Sequence, residues 1–146
     1  MIRVIGHCLW VLVLYLISVV VIKNILQDLK YKNPNVAYIP VFNAFALADA
    51  IPEVDGKVYI TKGFAVDKSV FTVFFMLSQL LGYVPYVAII GYILQIIGFY
   101  KISCFVYSFY EKRTEQDMSL LAGLTAVFPI IFWVKNLIYV AKKGSV

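Results

Sequence analysis

Few side chains in this sequence are equipped for chemistry, and the apolar stretches around them limit what that chemistry can be. Asp49 stands in an apolar run, residues 36–51, that also holds Pro40 and Asn43, and Lys135 interrupts another, residues 118–140. Even on an insertion scale, an acid or base held in hydrocarbon costs about 2.5–3.5 kcal/mol, so an embedded one needs a reason. For Asp49 the ordinary reason is its place near the end of its segment, from which the carboxylate reaches the headgroups. For Lys135, about one turn from Tyr139 and two from Lys142, it is a long stem that carries the amine toward the boundary. The functional alternative makes Asn43, Asp49 and Lys135 intramembrane polar groups, either paired or lining a water-filled path. On a helix Asn43 and Asp49 are about 120° out of step, so one helical face does not carry both.

Gly91, Gln95 and Gly98 fall at i, i+4 and i+7 and share a helical face. Small residues let backbones approach, and a glutamine amide can hydrogen-bond across the contact, which makes this a helix-packing surface. Gln79, on the preceding apolar stretch, is the natural partner within the chain, and a second copy is the alternative.

Nothing marks a catalytic constellation. His7 is the only histidine, near Trp10 in an apolar run, with no nucleophile or orienting acid beside it. Cys8 and Cys104 lack CxxC spacing and a ligand cluster, so they read as small buried hydrophobes rather than metal or redox groups. There is no P-loop, no HExxH and no paired acid motif on an apolar helix. No enzyme activity, cofactor or metal is expected.

The elements that must carry these residues follow from hydropathy. Of 146 residues, 62% are hydrophobic and 14% charged, against about a quarter charged in soluble domains. The expected fold is an all-α integral membrane protein forming a single polytopic domain over residues 1–146. Four transmembrane helices, at about 4–22, 64–81, 86–107 and 118–140, accompany a short interfacial or re-entrant helix at 36–51. Five crossings is the alternative. Residues 4–22 are uncharged and about 28 Å long as a helix, and no small-x-small cleavage site follows, so an uncleaved anchor is expected. Residues 24–31 suit a short helix at the inner interface. As a helix 36–51 reaches only ~24 Å, too short for a comfortable span.

Residues 69–100 carry no charge. As one helix they would run about 48 Å, too long for one crossing, and Gly82 and Pro85 break them into a helical hairpin. In the polar stretch 52–68, residues 57–61 and 64–67 flank Lys62-Gly63, as in a small hairpin or an ordinary loop. Residues 118–140 form the last crossing, bent at Pro129. The net charge of +5 sits beside hydrophobic runs, not on a continuous basic face, so the expected partner is the lipid bilayer and not nucleic acid. Counting Lys and Arg puts the N-terminus outside and most basic residues in the cytoplasm, with Arg3, Lys142 and Lys143 outside.

Residues 39–43, Ile-Pro-Val-Phe-Asn, follow a first apolar helix and a basic stretch. Later come a hairpin with central Pro85, then Leu121-Ala122-Gly123-Leu124 and Phe128-Pro129-Ile130-Ile131-Phe132. This order resembles a group of small prokaryotic membrane proteins with an Ile-Pro-x-x-Asn core, which lack an assigned activity and sometimes accompany signal-peptidase domains. The resemblance implies a polytopic fold in a bacterial cell membrane and supplies no reaction. Two features depart from it: the longer stretch 52–68, and Lys135 in the final helix. The expected function is a non-enzymatic membrane protein that acts through helix–helix association, as a homo-oligomer or beside another membrane protein. The alternative is a small channel or transporter-like pore lined by Asn43, Asp49, Gln95 and Lys135.

Overall fold

The first apolar run has no helix breaker after Gly6, and the helix it forms continues well past residue 22. In the computed structural model, which describes residues 1–144 (the side chain of Ile2 apart), α1 spans Ile2–Asp28. Residues 24–28, expected in a separate interfacial helix, are its last turn. Lys30 then takes a left-handed conformation, φ 54°, and the Tyr31 N–H bonds back to the Leu26 carbonyl. This closure lets the chain leave a helix and double back along it.

The chain next turns through a short 3-10 helix, Pro34–Tyr38, which starts at Asn33, whose side chain accepts from the Asn35 N–H at 3.2 Å. It runs along α1: the Tyr15 hydroxyl donates to the Tyr38 carbonyl, and Lys23 Nζ donates to the Tyr38 hydroxyl at 2.9 Å. The reversal falls at Val41, with φ 69° and ψ −49°, where the Phe42 N–H bonds to the Pro40 carbonyl at 2.8 Å. That is the rare positive-φ γ-turn, a strained geometry for a β-branched residue. Helix α2, Phe42–Asp49, then returns with Ala44, Ala46, Leu47 and Ala48 buried. Its last residue, Asp49, accepts from the Tyr31 hydroxyl at 2.8 Å, so the segment leaves and re-enters at the same end of the fold.

Strands β1 (Lys57–Thr61) and β2 (Phe64–Asp67) pair antiparallel around Lys62-Gly63, with Val58 and Ile60 buried. Residues 64–67, expected at the start of a helix, are therefore a strand; α3 covers Lys68–Leu81, 14 residues. Lys68 Nζ donates to the carbonyls of Asp49 (2.7 Å) and Ile51, fastening the start of α3 to the end of α2.

Helices α3 and α4 (Ala88–Glu111) form the expected hairpin around residues 82–87. A Cβ on Gly91 would lie 2.8 Å from Leu81 Cβ and 3.0 Å from the Gly82 nitrogen; one on Gly98 would lie 2.1 Å from Phe75 Cδ2. Both glycines are thus needed for close approach within the chain. Past Glu111, Lys112 is left-handed like Lys30 (φ 54°), and its N–H bonds to the Ser108 carbonyl.

Residues 118–140, expected as one bent crossing, are two helices, α5 (Ser119–Val127) and α6 (Ile130–Gly144). Phe128, held at φ −119° and ψ 82°, is the residue before Pro129, whose ring disfavours the helical region there. The break reverses the chain rather than bending it. Just beyond the reversal Phe132 packs edge-on against Phe99 (5.6 Å) at mid-length of α4. Farther along α6, Tyr139 stacks on Tyr110 (4.6 Å) near the end of α4. The pair α5–α6 therefore enters from, and returns to, the end where α4 finishes.

Among the described residues, six α-helices and one two-stranded sheet make a mainly helical fold. By length and composition two helices, Arg3–Asp28 and Ala88–Glu111, are long and apolar enough to cross a membrane. The expected four transmembrane helices are not supported, because α3 is short and the last segment is broken. An aromatic chain, Phe75–Phe99 (5.4 Å), Phe99–Phe132 (5.6 Å) and Phe132–Tyr107 (6.4 Å), joins α3, α4 and α6 in the core.

Candidate functional site

The two doubled-back segments bring polar groups to two different levels. Near the reversal of the first, Asn43 faces a cavity of about 170 Å³ that it shares with Ser18, Gln79, Phe99 and Trp133. Its lining is drawn from α1, α2, α3, α4 and α6, so the cavity marks where these helices converge. Its polar groups are uncharged. Ser18 spends its hydroxyl on the Tyr15 carbonyl (2.7 Å), and the Gln79 amide donates to Ser78 Oγ (3.2 Å).

The charged candidates lie elsewhere. Asp49 binds Tyr31, and Lys135 Nζ donates to Glu111 Oε1 at 2.5 Å, which also accepts from the Tyr139 hydroxyl at 2.7 Å. Burial, reinforced by the Asp49 carboxylate, pushes the Tyr31 hydroxyl up to about 12. Beside Glu111, Asp28 Oδ2 accepts from Tyr110 at 2.6 Å and from Asn24 at 3.3 Å, while Lys143 pairs with Oδ1. These bonds tie together the C-terminal ends of α1, α4 and α6, which form the polar end of the molecule. Asp49 and Lys135 do not pair with each other; each has its own partners.

Of the expected packing face, Gly91 and Gly98 are buried against α3, and Gln95 is half-buried. Gln79 meets Ser78 and the cavity instead of serving as a partner for Gln95. His7 and Cys8 are exposed on α1, and Cys104 is buried.

Lys101 was not singled out by sequence reasoning. It is 6% exposed in the middle of α4 and pairs with Glu115 in the connector before α5. It lies on one wall of an open cleft of about 850 Å³ between the β-hairpin and α4. The available signal was a lysine directly after a long uncharged run, with an acid 14 residues on, across a helix end. Among the described residues no group of three or more potential metal ligands gathers. No protein-family model, curated protein or solved structure matches this chain.

Proposed function

We propose that the chain is a non-enzymatic, multi-pass membrane protein that works by helix association, as a homo-oligomer or as a small subunit beside another membrane protein. The observation that carries this reading is the first half of α1. Val4, Leu9, Trp10, Leu12, Val13 and Leu16 are each 45–65% exposed, on every side of a stretch of helix that none of the other described residues buries. In water so continuous an apolar surface is costly; lipid or a neighbouring helix removes the cost. The buried Gly91–Gly98 face is used within the chain, so association falls to exposed apolar surface, of which the first half of α1 is the stretch open on every side.

In this reading α1 and α4, the two helices of crossing length, traverse the bilayer, and α3 together with the uncharged turn that follows it carries the chain back across over residues 68–87. The segments 32–51 and 112–144 dip in from one side without crossing. The charge distribution favours it. Lys30, Lys32, Lys68, Lys112 and Arg113 lie at the polar end, and the return of α6 adds Lys142 and Lys143 to that side. Arg3 remains at the other. The bias is stronger than with a last helix that crosses, and it puts the N-terminus outside and the polar end in the cytoplasm. The resemblance to small prokaryotic proteins with an Ile-Pro-x-x-Asn core adds a bacterial cell membrane as the setting. The pore alternative is less favoured: its proposed lining is divided between an uncharged cavity and separate clusters at the polar end.

Single cysteines at Asn33, Lys57, Arg113 and Lys142, on a background lacking Cys8 and Cys104, test the topology. All four should react with an impermeant maleimide from the same side, and a cysteine at Tyr86 from the other. Labelling of Lys142 from the Tyr86 side would sink the dipping α5–α6 pair. Release of the protein from membranes by alkaline carbonate would sink the membrane reading altogether.

A further inference from the structure

The open cleft between the β-hairpin and α4 is lined by lysines from both of these elements. Lys57 is on β1, Lys62 is at the hairpin turn, and Lys101 projects from α4. An ammonium has three donors. Lys101, 6% exposed, uses one of them on Glu115, and no other hydrogen bond of its amine is made among the described residues. A buried charge so incompletely bonded is poorly compensated. Lys57 and Lys62 form no ion pair among the described residues. Three lysines against Glu115 alone leave the lining at +2, and Tyr59 and Thr61 add hydroxyls. Pro52, Val54 and Ile60 give the same cleft an apolar wall.

We propose that this cleft binds a phosphate-ester anion, whose oxygens accept from Lys57, Lys62 and Lys101 while its apolar or glycerol portion lies along the Pro52–Val54–Ile60 wall. An anion is favoured because the only acid in the lining is already engaged by Lys101. A phosphate ester is favoured over a carboxylate because three lysines, from the hairpin and from α4, line the one cleft, and its non-ester and ester oxygens offer a wider set of acceptors than two carboxylate oxygens. Basic pockets beside membrane helices hold lipid headgroups by the same chemistry. A lipid headgroup as the source rests on the membrane reading; the same group free in solution does not.

The test is thermal unfolding and equilibrium binding of the full chain in a neutral detergent. The probes are phosphatidylglycerol, phosphatidylcholine, glycerol phosphate and inorganic phosphate. Phosphatidylglycerol should raise the melting temperature where phosphatidylcholine does not, and Lys57→Gln with Lys62→Gln should weaken its binding roughly thirtyfold. Lys30→Gln with Lys32→Gln, basic residues away from the cleft, should leave it within about twofold. A response to glycerol phosphate or inorganic phosphate with the same lysine dependence supports the site and assigns it a soluble ligand.

Glu115→Gln gives a second, independent reading. It frees the Lys101 ammonium, so the variant should melt lower without ligand, bind the anion more tightly, and regain its melting temperature when the anion is added. A purely structural ion pair would give a loss that no anion restores, and that result overturns the proposal. Equal responses to phosphatidylglycerol and phosphatidylcholine, with none to either soluble phosphate, overturn it too. So does full affinity in the Lys57/Lys62 double variant. Carbonate extraction run in parallel separates this inference from the membrane reading. A released chain that still binds phosphate through Lys57 and Lys62 loses only the latter; a retained chain with no anion preference loses only the cleft.

Discussion

α1 and α4 are of similar length and both are apolar, yet their surroundings differ. The most apolar window of α1 is 17% buried, whereas that of α4 is 44% buried, enclosed by α3, α5 and α6. A helix as covered as α4 also occurs in the core of a soluble protein, so its composition alone says little about solvent. The uncovered half of α1 carries that information. Only its second half is held, through Val21, Ile22, Ile25 and Leu26 in the core and through Asp28 at the polar end. α4 is thus held by Gly91 near its start and by close packing from Gly98 to Tyr107, and α1 by an anchor at one end.

The largest effect that would sharpen this contrast is at Gly98. Gly98→Leu places a side chain where Phe75 already lies, and should destabilise the fold by about 3 kcal/mol, the upper part of the range for overpacking. Leu12→Ala, on the uncovered half of α1, should cost less than about 0.5 kcal/mol in detergent. Unfolding followed by circular dichroism checks both; equal losses would erase the distinction.

A smaller effect is expected where the anchor of α1 meets α4. Tyr110→Phe removes the donor to Asp28 and should cost about 1.5 kcal/mol, as for a hydrogen bond to a charged group. Lys143→Met, whose side chain is more exposed, should cost about 0.5 kcal/mol or less. If Lys143→Met proves the more damaging, the anchor depends on the ion pair and not on the tyrosine.

Smaller again is the change at the reversal that covers the second half of α1. Val41→Gly gives up some packing but relieves a positive φ that costs a β-branched residue about 1–3 kcal/mol, so stability should hold or rise by up to about 1 kcal/mol. Val21→Gly, in the buried part of α1, should instead lose about 3 kcal/mol. A loss at Val41 as large as that at Val21 would mean that the side chain matters more than the turn.

The smallest expected value is a coupling. Asp49 belongs to the cluster that closes the segment after α1, and Lys135 to the one at the end of α4. Asp49→Asn and Lys135→Met should each cost about 1 kcal/mol and add within about 0.5 kcal/mol. A coupling well above 1 kcal/mol would join two regions that the contacts keep separate, and would revive a shared polar path.

Much of this was legible in the residues. Lys62-Gly63 between residues 57–61 and 64–67 admitted a hairpin, with an ordinary loop as the alternative, and Gly82 with Pro85 marked the break between α3 and α4. The spacing of Gly91 and Gly98 puts them on one helical face, and that face lies against α3. Direction was not legible. Hydropathy measures how long an apolar run is, and a run of crossing length can cross or fold back on itself. What decides for residues 118–140 is a reversal at Phe128-Pro129 together with Glu111 holding Lys135, 24 positions away. For 36–51 it is the bond from Tyr31 to Asp49. The Asp28–Tyr110 contact joins residues 82 positions apart, and no local pattern announces it. Lys101 escaped notice because the connector that neutralises it lies beyond the end of its own helix.

The two doubled-back segments also bear on how such a chain would enter a bilayer. In the proposed topology, the described portions carried to the far side are the start of α1 with Arg3 and the turn at residues 82–87, which has no charge. Each charged group drawn through hydrocarbon adds about 2.5–3.5 kcal/mol on the insertion scale, so this arrangement keeps the work of translocation close to its minimum. Insertion then divides into two stages. α1 and the α3–α4 hairpin are committed first, and the segments tipped by Pro40 and Pro129 settle between them afterwards from the side on which they were made. The order of biogenesis would be the order of enclosure: α4 is sheathed last by elements that follow it in the chain, and α1 is left with an open flank.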